Sequence, residues 1–210
     1  MRKLNLKAQY RHLYKPPTKG AVVVEVPPLP YLQVHGRGDP NTAPAYREAV
    51  AALFTLAYTL KFAVKKGTLA IDYGVMPLEG LWWTEGEQTI HIGDPLCFSN
   101  RDSWRWTMMI LQPDFIDRAL VEEARAQAIK KKGLPLLGAI EFGTLHEGRC
   151  AQVLHTGPYG AAEVPTIESL HRFIAEQGGQ PRGRHHEIYL NDPSRTAPQK
   201  LKTLIRQAFA

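Results

Sequence analysis

The sequence predicts an α+β protein made of two similar modules, each an antiparallel sheet that carries a helix. Two observations predict this class. The order strand, strand, helix, strand, strand occurs twice along the 210 residues, and a short segment at 33–35 is echoed at 152–155. A helix on one face of each sheet would leave the other faces free to form a central ligand groove. We predict an N-terminal arm at 1–20, a first module at 21–113, a linker helix at 114–140 and a second module at 141–210.

Composition is typical of a globular protein, with 44% hydrophobic and 22% charged residues. No window approaches the roughly 18 apolar residues of a membrane span. The basic N-terminus is followed by neither an apolar run nor a small-residue cleavage site, so it does not resemble a signal peptide. We therefore predict a cytoplasmic protein in which Cys97 and Cys150 stay reduced.

The net charge of +6 and the isoelectric point near 9.3 raise the question of nucleic-acid binding. The densest basic run, Lys130-Lys131-Lys132, precedes Gly133 at the end of a helical pattern, where cations offset the helix dipole. Zinc-finger, RNA-binding and basic-zipper signatures are missing from the sequence. We predict no direct nucleic-acid partner and no membrane partner.

The first module opens with two strands. Residues 21–26 are rich in β-branched side chains and are closed by two prolines, and residues 31–36 form a second extended stretch. Gly36 and Gly38 lack the third glycine of a dinucleotide-binding loop, so we predict a turn there. Apolar residues at helical spacing then predict a helix at 44–64.

Three further strands complete the first module, and an acidic turn separates the second of them from the third. We predict a pair of strands at about 69–76 and 80–84, the turn at 85–87, and a last strand at 104–111 that Pro113 closes.

The second module repeats this plan after the linker helix. Asp114 is placed to cap that helix, which we expect to extend over 115–132 and to end at Gly133. The predicted elements of the module are a hairpin at 142–155, a turn at 157–160, a helix at 163–177, a strand around Glu187 and a last strand at 201–207.

The candidate site centres on the strand that contains Glu187. Side chains alternate along a strand, so Glu187, Tyr189 and Asn191 share one face while His186 lies on the other. Strand glutamates usually face water, but the apolar flanks of this one favour burial. A carboxylate in an aromatic pocket has its pKa raised by desolvation, which suits a general base or an anchor for cations.

Aromatic residues supply candidate walls for the groove. Trp82 and Trp83 are adjacent, so they point to opposite faces of a strand, and one can be core while the other lines a groove. Core packing and ligand stacking both fit such residues. The further aromatic candidates are Tyr73, Trp106 and Tyr159.

Eight histidines raise the question of a metal site. His185 and His186 adjoin Glu187, but neighbouring side chains on a strand diverge, and the His-Glu-x-x-His pattern does not occur. Signatures of a catalytic serine or cysteine are also missing. We predict no metal and no cofactor.

Several motifs of the chain resemble those of the GyrI-like, or gyrase-inhibitor-like, small-molecule-binding proteins. In the second half these are Glu-Gly-x3-Gln-x2-His-x-Gly-Pro-Tyr at 147–159, Thr-Ile-x2-Leu-His at 166–171 and His-His-Glu-Ile-Tyr-Leu-x-Asp-Pro at 185–193. Segments 24–27, 36–41 and 77–83 match in the first half. The resemblance covers nearly the whole chain. Within the family, the chain is similar to the stand-alone subfamily that lacks a DNA-binding domain.

The resemblance implies two strand-helix-strand-strand modules related by a pseudo-twofold axis, with the ligand in the groove between them. It also implies that Glu187 is the pocket glutamate and that aromatic residues hold flat, often cationic, compounds. By this resemblance we expect Glu187, Tyr189 and Tyr159 to be catalytic. The expected ligand-binding residues are Tyr73, Trp82, Trp83, Trp106, His155 and His186.

The stand-alone subfamily includes cyclopropanoid cyclopropyl hydrolases, which detoxify DNA-alkylating natural products such as yatakemycin by opening their cyclopropane. The resemblance therefore implies a cofactor-independent hydrolase of that kind. The alternative function is a non-catalytic protein that binds, sequesters or senses flat aromatic or cationic compounds. Both functions use the same pocket, so the sequence alone leaves them open.

Overall fold

One large antiparallel sheet forms the framework of the protein. The computed structural model describes residues 1–15, 19–84 and 101–210, and within these ranges eight strands join in the order β2-β8-β10-β9-β5-β6-β3-β7. A separate parallel pair joins β1 to β4. The ten strands are β1 Arg2–Leu4, β2 Val22–Val26, β3 Leu29–Arg37, β4 Ile71–Tyr73, β5 Leu78–Thr84, β6 Trp104–Leu111, β7 Glu141–Leu145, β8 Gly148–Thr156, β9 Pro181–Tyr189 and β10 Lys202–Phe209.

The strand order has the symmetry that the repeated sequence plan predicts. Exchanging β2 with β7, β3 with β8, β5 with β9 and β6 with β10 reverses the order, as a twofold axis between β5 and β9 would. The α+β class and the antiparallel pairing are confirmed. The two sets of strands are joined into one sheet, because β5 of the first module pairs with β9 of the second.

The two modules also exchange their first strands. The β2 strand belongs to the first half of the sequence but pairs with β8, and β7 belongs to the second half but pairs with β3. The predicted hairpin at 142–155 is therefore wrong: β7 and β8 follow each other in sequence, yet β7 is one edge strand and β8 is the second strand from the other edge. The turn predicted at 85–87 lies outside the described residues, as does Cys97.

Helices of the described residues cover the sheet and form the core with it. They are α1 Leu6–Gln9, α2 Arg11–Tyr14, α3 Pro44–Lys66, α4 Arg118–Lys132 and α5 Val164–Glu176. The α3 helix begins with Pro44 in its first turn and buries apolar residues at spacings of three and four, as its sequence predicts. Burial of each leucine in that stripe contributes about 1.5–3 kcal/mol.

The linker helix α4 begins later than its sequence suggests. Asp117, rather than Asp114, is the N-terminal cap, because its Oδ1 accepts a hydrogen bond of 2.9 Å from the backbone N–H of Leu120. The helix ends at Gly133, whose φ of 58° is the left-handed conformation that favours glycine. None of the helices in the described part of the chain is long and apolar enough to cross a membrane.

The N-terminal arm is part of the core. Leu6, Leu13 and Tyr14 are buried, and the Tyr14 hydroxyl donates a 2.6 Å hydrogen bond to Glu79 Oε1 in the central strand β5. This bond links the arm to the middle of the sheet. The arm therefore packs on the face of the sheet that is opposite to α3 and α5.

Candidate functional site

A groove of about 890 Å³ lies between α3 and α5, above the two central strands of the sheet. The α3 helix contributes Tyr46, Val50, Phe54 and Tyr58 to one wall, and Ile167 of α5 contributes to the other. The floor consists of side chains of β5 and β9, with Trp104 of β6 nearby. We call this cavity the central groove.

The central groove lies on the helix-covered side of the sheet. The expectation that the helix-free faces would form it is wrong, because aromatic residues of α3 reach over the strands and leave a gap between the two helices. The opposite face of β5 and β9 holds buried charges instead, as described below.

Glu187 lies at the centre of the groove floor and is held by two neighbours. The Tyr189 hydroxyl donates a 2.7 Å hydrogen bond to Glu187 Oε2, and His185 Nε2 lies 3.1 Å from Oε1. The His185 tautomer with its proton on Nε2 donates to that oxygen. All three residues alternate along β9, so the strand itself brings them onto one face. The Glu187 side chain is 14% exposed, so it is still open to the groove.

Trp82 extends the hydrogen-bond chain across the sheet. Its Nε1–H donates to the Tyr189 hydroxyl oxygen over 3.1 Å. The indole lies against Gly80, where an added Cβ would be 2.7 Å from Trp82 Nε1. Glycine is therefore needed at position 80 for the indole to reach Tyr189, and the chain from Trp82 through Tyr189 to Glu187 fixes the orientation of the carboxylate.

Glu163 is a second carboxyl group in the groove, and sequence reasoning missed it. It precedes α5, is 2% exposed and accepts a 2.6 Å hydrogen bond from the backbone N–H of Gly160. Burial and the negative charge of Glu187 raise the pKa of Glu163 to about 8, against the lowering effect of the hydrogen bond from Gly160. Glu163 is therefore a carboxylic acid at neutral pH, and it faces the same groove as Glu187.

Phenol groups surround these carboxyls. Tyr159 packs edge-on against Tyr189, with ring centroids 5.5 Å apart. Burial, followed by the charges of Glu163 and Glu187, raises the pKa of Tyr159 to about 12. The pKa values of Tyr46 and Tyr189 are also raised, mainly by burial and then by the charge of Glu187. All these phenols keep their protons at neutral pH and can donate hydrogen bonds.

The structure brings four of the residues predicted from sequence together in the central groove: Glu187, Tyr189, Tyr159 and Trp82. Asn191, the third residue predicted on that strand face, also lines it. Five others lie elsewhere and are left out of the site proposed below: Tyr73, Trp83, Trp106, His155 and His186.

Two of these five are buried in the core and do not reach the groove. Trp106 is 1% exposed because Tyr46 covers it edge-on at 5.5 Å, and its ring occupies the space that a side chain at Gly36 would need. Tyr73 is buried in the core, edge-on to Phe115 at 6.1 Å. Packing against the sheet and the helix, rather than contact with a ligand, determines both positions.

The remaining three do not line the groove either. Trp83 is on the opposite face of β5, under the guanidinium of Arg184 at 3.6 Å from its ring centroid. His155 Nδ1 lies 2.9 Å from Thr166 Oγ1, which ties β8 to α5. His186 alternates away from Glu187 and lies on the other face of β9, as the period of a strand requires.

His186 belongs to a buried network of charges on that other face. Its Nε2 lies 3.0 Å from Glu79 Oε2 and its Nδ1 lies 3.0 Å from Glu147 Oε1, while Arg206 Nη1 lies 3.3 Å from Glu147 Oε2. Burial lowers the pKa of His186, but Glu147 and Glu79 outweigh it and raise the pKa to about 9. Burial raises the pKa of Glu147, but His186 and Arg206 lower it to about 2. The network joins β5, β9 and β10 to the β7–β8 connection that carries Glu147, and so links the two modules.

Other groove residues had weaker sequence signals. His185 lies two positions before Glu187, so the alternation that placed Tyr189 also placed His185 on the same face. Tyr46 and Trp104 enter the groove because α3 crosses β5 and β6, and Trp82 packs edge-on against Trp104 at 5.7 Å. Within the described residues, no group of three or more histidine, cysteine or acidic side chains is placed to hold a metal ion.

These features define an α+β protein with a two-module sheet and an aromatic, carboxylate-bearing groove for a small molecule. The sequence model of the GyrI-like small-molecule-binding domain matches residues 114–207. A crystal structure of an uncharacterized conserved protein from Listeria innocua superposes with a TM-score of 0.87 and 34% identity, over 99% of this chain and all of that one.

A second crystal structure, of a hydrolase from Listeria innocua, superposes with a TM-score of 0.84 and 32% identity over 99% of this chain and 100% of that one. The C-terminal domain of EcmrR matches over 90% of this chain and 96% of that domain, with a TM-score of 0.55 and 13% identity, which shows a shared fold alone. Curated protein sequences give no match. The chain belongs to the GyrI-like small-molecule-binding family.

Proposed function

We propose that the central groove binds a flat aromatic electrophile and adds water to it, and that this electrophile is the cyclopropane of a DNA-alkylating cyclopropanoid natural product of the yatakemycin kind. The observation that carries the proposal is the pair of carboxyl groups, Glu187 and Glu163, in one groove walled by aromatic rings. The relative of 32% identity that is described as a hydrolase supports a catalytic role. After the ring opens, that carbon carries a hydroxyl group and is no longer an alkylating centre, so the reaction amounts to detoxification.

The proposed step is a single addition of water. Glu187 accepts a proton from a water molecule while the water oxygen attacks the cyclopropane methylene carbon. The ring C–C bond breaks, and its electron pair moves through the conjugated dienone to the carbonyl oxygen, which becomes a phenolate and then takes a proton. Base and acid catalysis of this kind each contribute on the order of 10²–10⁴-fold.

The acid that protonates the dienone oxygen is Glu163 or Tyr159. The Tyr189 proton is already donated to Glu187, so Tyr189 acts by holding the base in place. Glu163 has a pKa of about 8 and Tyr159 of about 12, so Glu163 is the stronger acid, while Tyr159 is the more exposed group at 38%. Both line the groove with Glu187. The step requires only these side chains and water.

Mass spectrometry tests the proposal directly. The protein is incubated with a cyclopropane-bearing alkylator in water enriched in ¹⁸O. We expect a water adduct that forms only when the protein is present. Its one ¹⁸O atom should be on the carbon that was the methylene of the cyclopropane. If the alkylator disappears no faster with the protein than in buffer alone, hydrolysis of this substrate is refuted.

The second candidate function is binding of flat cationic compounds without turnover. Glu187 faces a groove that also contains Trp82, Trp104 and Tyr46, and a cation over such rings is attracted both by the ring faces and by the carboxylate. A cationic dye that binds and is released unchanged, together with a failed hydrolysis test, would favour this function.

A further inference from the structure

A second groove of about 710 Å³ lies on the outer side of α3, between that helix and α4. We call it the outer groove. The α3 helix contributes Phe54, Tyr58 and Phe62 to it, and the central groove shares the first two of these residues. The two grooves are therefore adjacent, but they present different charges.

The three aromatic rings of the outer groove form a continuous row along the helix. They are spaced four residues apart along α3, so they lie on one face of the helix. Their centroids are 6.4 and 6.5 Å apart and their planes are within 30° of parallel. Tyr58 is 49% exposed and Phe62 45%. A row of accessible aromatic rings whose planes are nearly parallel suits packing of a planar aromatic molecule.

Positive charge surrounds this surface. Lys66, Lys131 and Lys132 line the outer groove, whereas Glu123 is the only acidic residue among the described residues that line it. The ammonium groups of Lys61 and Lys66 lie 4.3 and 6.0 Å from the Phe62 ring centroid.

The lysines of this region divide into two sets. Lys61 and Lys65 are paired with Asp72 at 3.2 and 2.7 Å. Within the ranges that the structure describes, Lys131 and Lys132 form no ion pair, so their charges are available to an anion.

We infer that the outer groove is a second binding site, which takes planar aromatic anions such as arene carboxylates and sulfonates. The ring system lies on Tyr58 and Phe62, and the anionic group lies towards Lys131 and Lys132 at the C-terminal end of α4. The central groove differs, because the Glu187 carboxylate faces its ligand. This site goes beyond the proposed hydrolysis, since it requires neither carboxyl group.

Fluorescence titration with 1-pyrenesulfonate tests the site. Phe62→Ala removes one ring and Lys131→Glu reverses one charge, and each should weaken binding about 3- to 10-fold. The matched controls are Ile129→Ala and Lys130→Glu, because both residues are exposed, lie on α4 and are not among the lining residues. The controls should bind with wild-type affinity. Added salt should weaken wild-type binding, since it screens exposed charges.

Three results would overturn the inference. The first is equal weakening in the controls and in the groove variants, which would show general surface charge. The second is binding of 1-pyrenemethylammonium as tight as that of the sulfonate, or loss of sulfonate binding in Glu187→Gln, which would place the probe in the central groove. The third is a dimer in light scattering that Phe62→Ala dissociates, which would make this face a subunit interface.

Discussion

The Tyr189 hydroxyl and the Glu187 carboxylate are joined by a 2.7 Å hydrogen bond along one face of β9. The phenol donates this hydrogen bond to the carboxylate and accepts another from the Nε1–H of Trp82. Glu187 therefore has a fixed orientation before any ligand enters. Preorganisation of this kind suits a general base, because a reacting water must meet a defined oxygen lone pair.

Replacement of the base separates catalysis from binding. In Glu187→Gln the amide cannot accept the proton of the attacking water, while the shape of the side chain is nearly kept. We expect turnover of a cyclopropanoid alkylator to fall by about 10²-fold or more. Affinity for the neutral substrate should change little, because a loss confined to the rate marks an interaction made in the transition state. Single-turnover kinetics and equilibrium titration measure the two quantities. Undiminished turnover would remove Glu187 from the mechanism.

The two phenols of the groove should respond differently to loss of their hydroxyl groups. Tyr189→Phe removes the hydrogen bond that orients Glu187 and leaves Trp82 Nε1 without its partner, so we expect a lower rate constant for turnover. Tyr159→Phe removes a group that can donate only to the ligand, so its effect measures donation to the dienone oxygen. Comparison of kcat for the two variants decides between these roles. A larger loss in Tyr159→Phe would make Tyr159, and not Glu163, the main acid.

The pH dependence of the rate should show whether Glu163 is the acid. The pKa of this residue is raised to about 8, so its acid form is present below that pH and is lost as the pH rises through it. If the acid form donates the proton, kcat should fall as the pH rises above about 8. In Glu163→Gln the rate should be lower and this alkaline limb should disappear, because glutamine does not titrate. A limb that persists unchanged in the variant would assign it to another group.

Local periodicity predicted much of the site. The alternation of side chains placed Glu187, Tyr189 and Asn191 on one face of a strand, and all three line the central groove. The helix at 44–64 was predicted equally well from its apolar spacing and is observed as Pro44–Lys66. These features depend on residues that are close in sequence, so a single sequence contains the information.

Features set by packing between distant segments were not predictable in this way. Trp104 and Trp106 share a face of β6, yet only Trp104 lines the groove, because Tyr46 of α3 covers Trp106. The exchange of β2 and β7 between modules depends on strand partners more than a hundred residues away in sequence. Glu163 enters the groove because α5, which it precedes, packs on β8 and β10 beside the central strands. Each of these facts requires the relative positions of elements, which periodicity does not give.

The buried network behind the groove should make stability depend on pH in two windows. His186 has a folded pKa of about 9, above its usual 6.5, so its contribution is complete below about pH 6.5 and is lost as the pH rises through 9. Glu147 has a folded pKa of about 2, below its usual 4.5, so its contribution is complete above about pH 4.5 and is lost as the pH falls through 2. Both contributions are complete only between about pH 4.5 and 6.5.

We therefore expect the contribution of these two residues to the free energy of unfolding in urea to be highest near pH 5.5 and to fall by a few kcal/mol by pH 9.5, at about 1.4 kcal/mol per unit of pKa shift. Glu163 also lowers the free energy of unfolding as the pH rises from about 4.5 to 8. Its pKa is raised in the folded state, so the folded protein keeps a proton that the unfolded chain has lost. The variant Glu163→Gln removes that second contribution. A decline between pH 6.5 and 9.5 that remains in this variant belongs to His186, since Glu147 is fully ionised throughout that range. Constant stability of the variant over the same range would show that His186 does not retain its proton inside the folded protein.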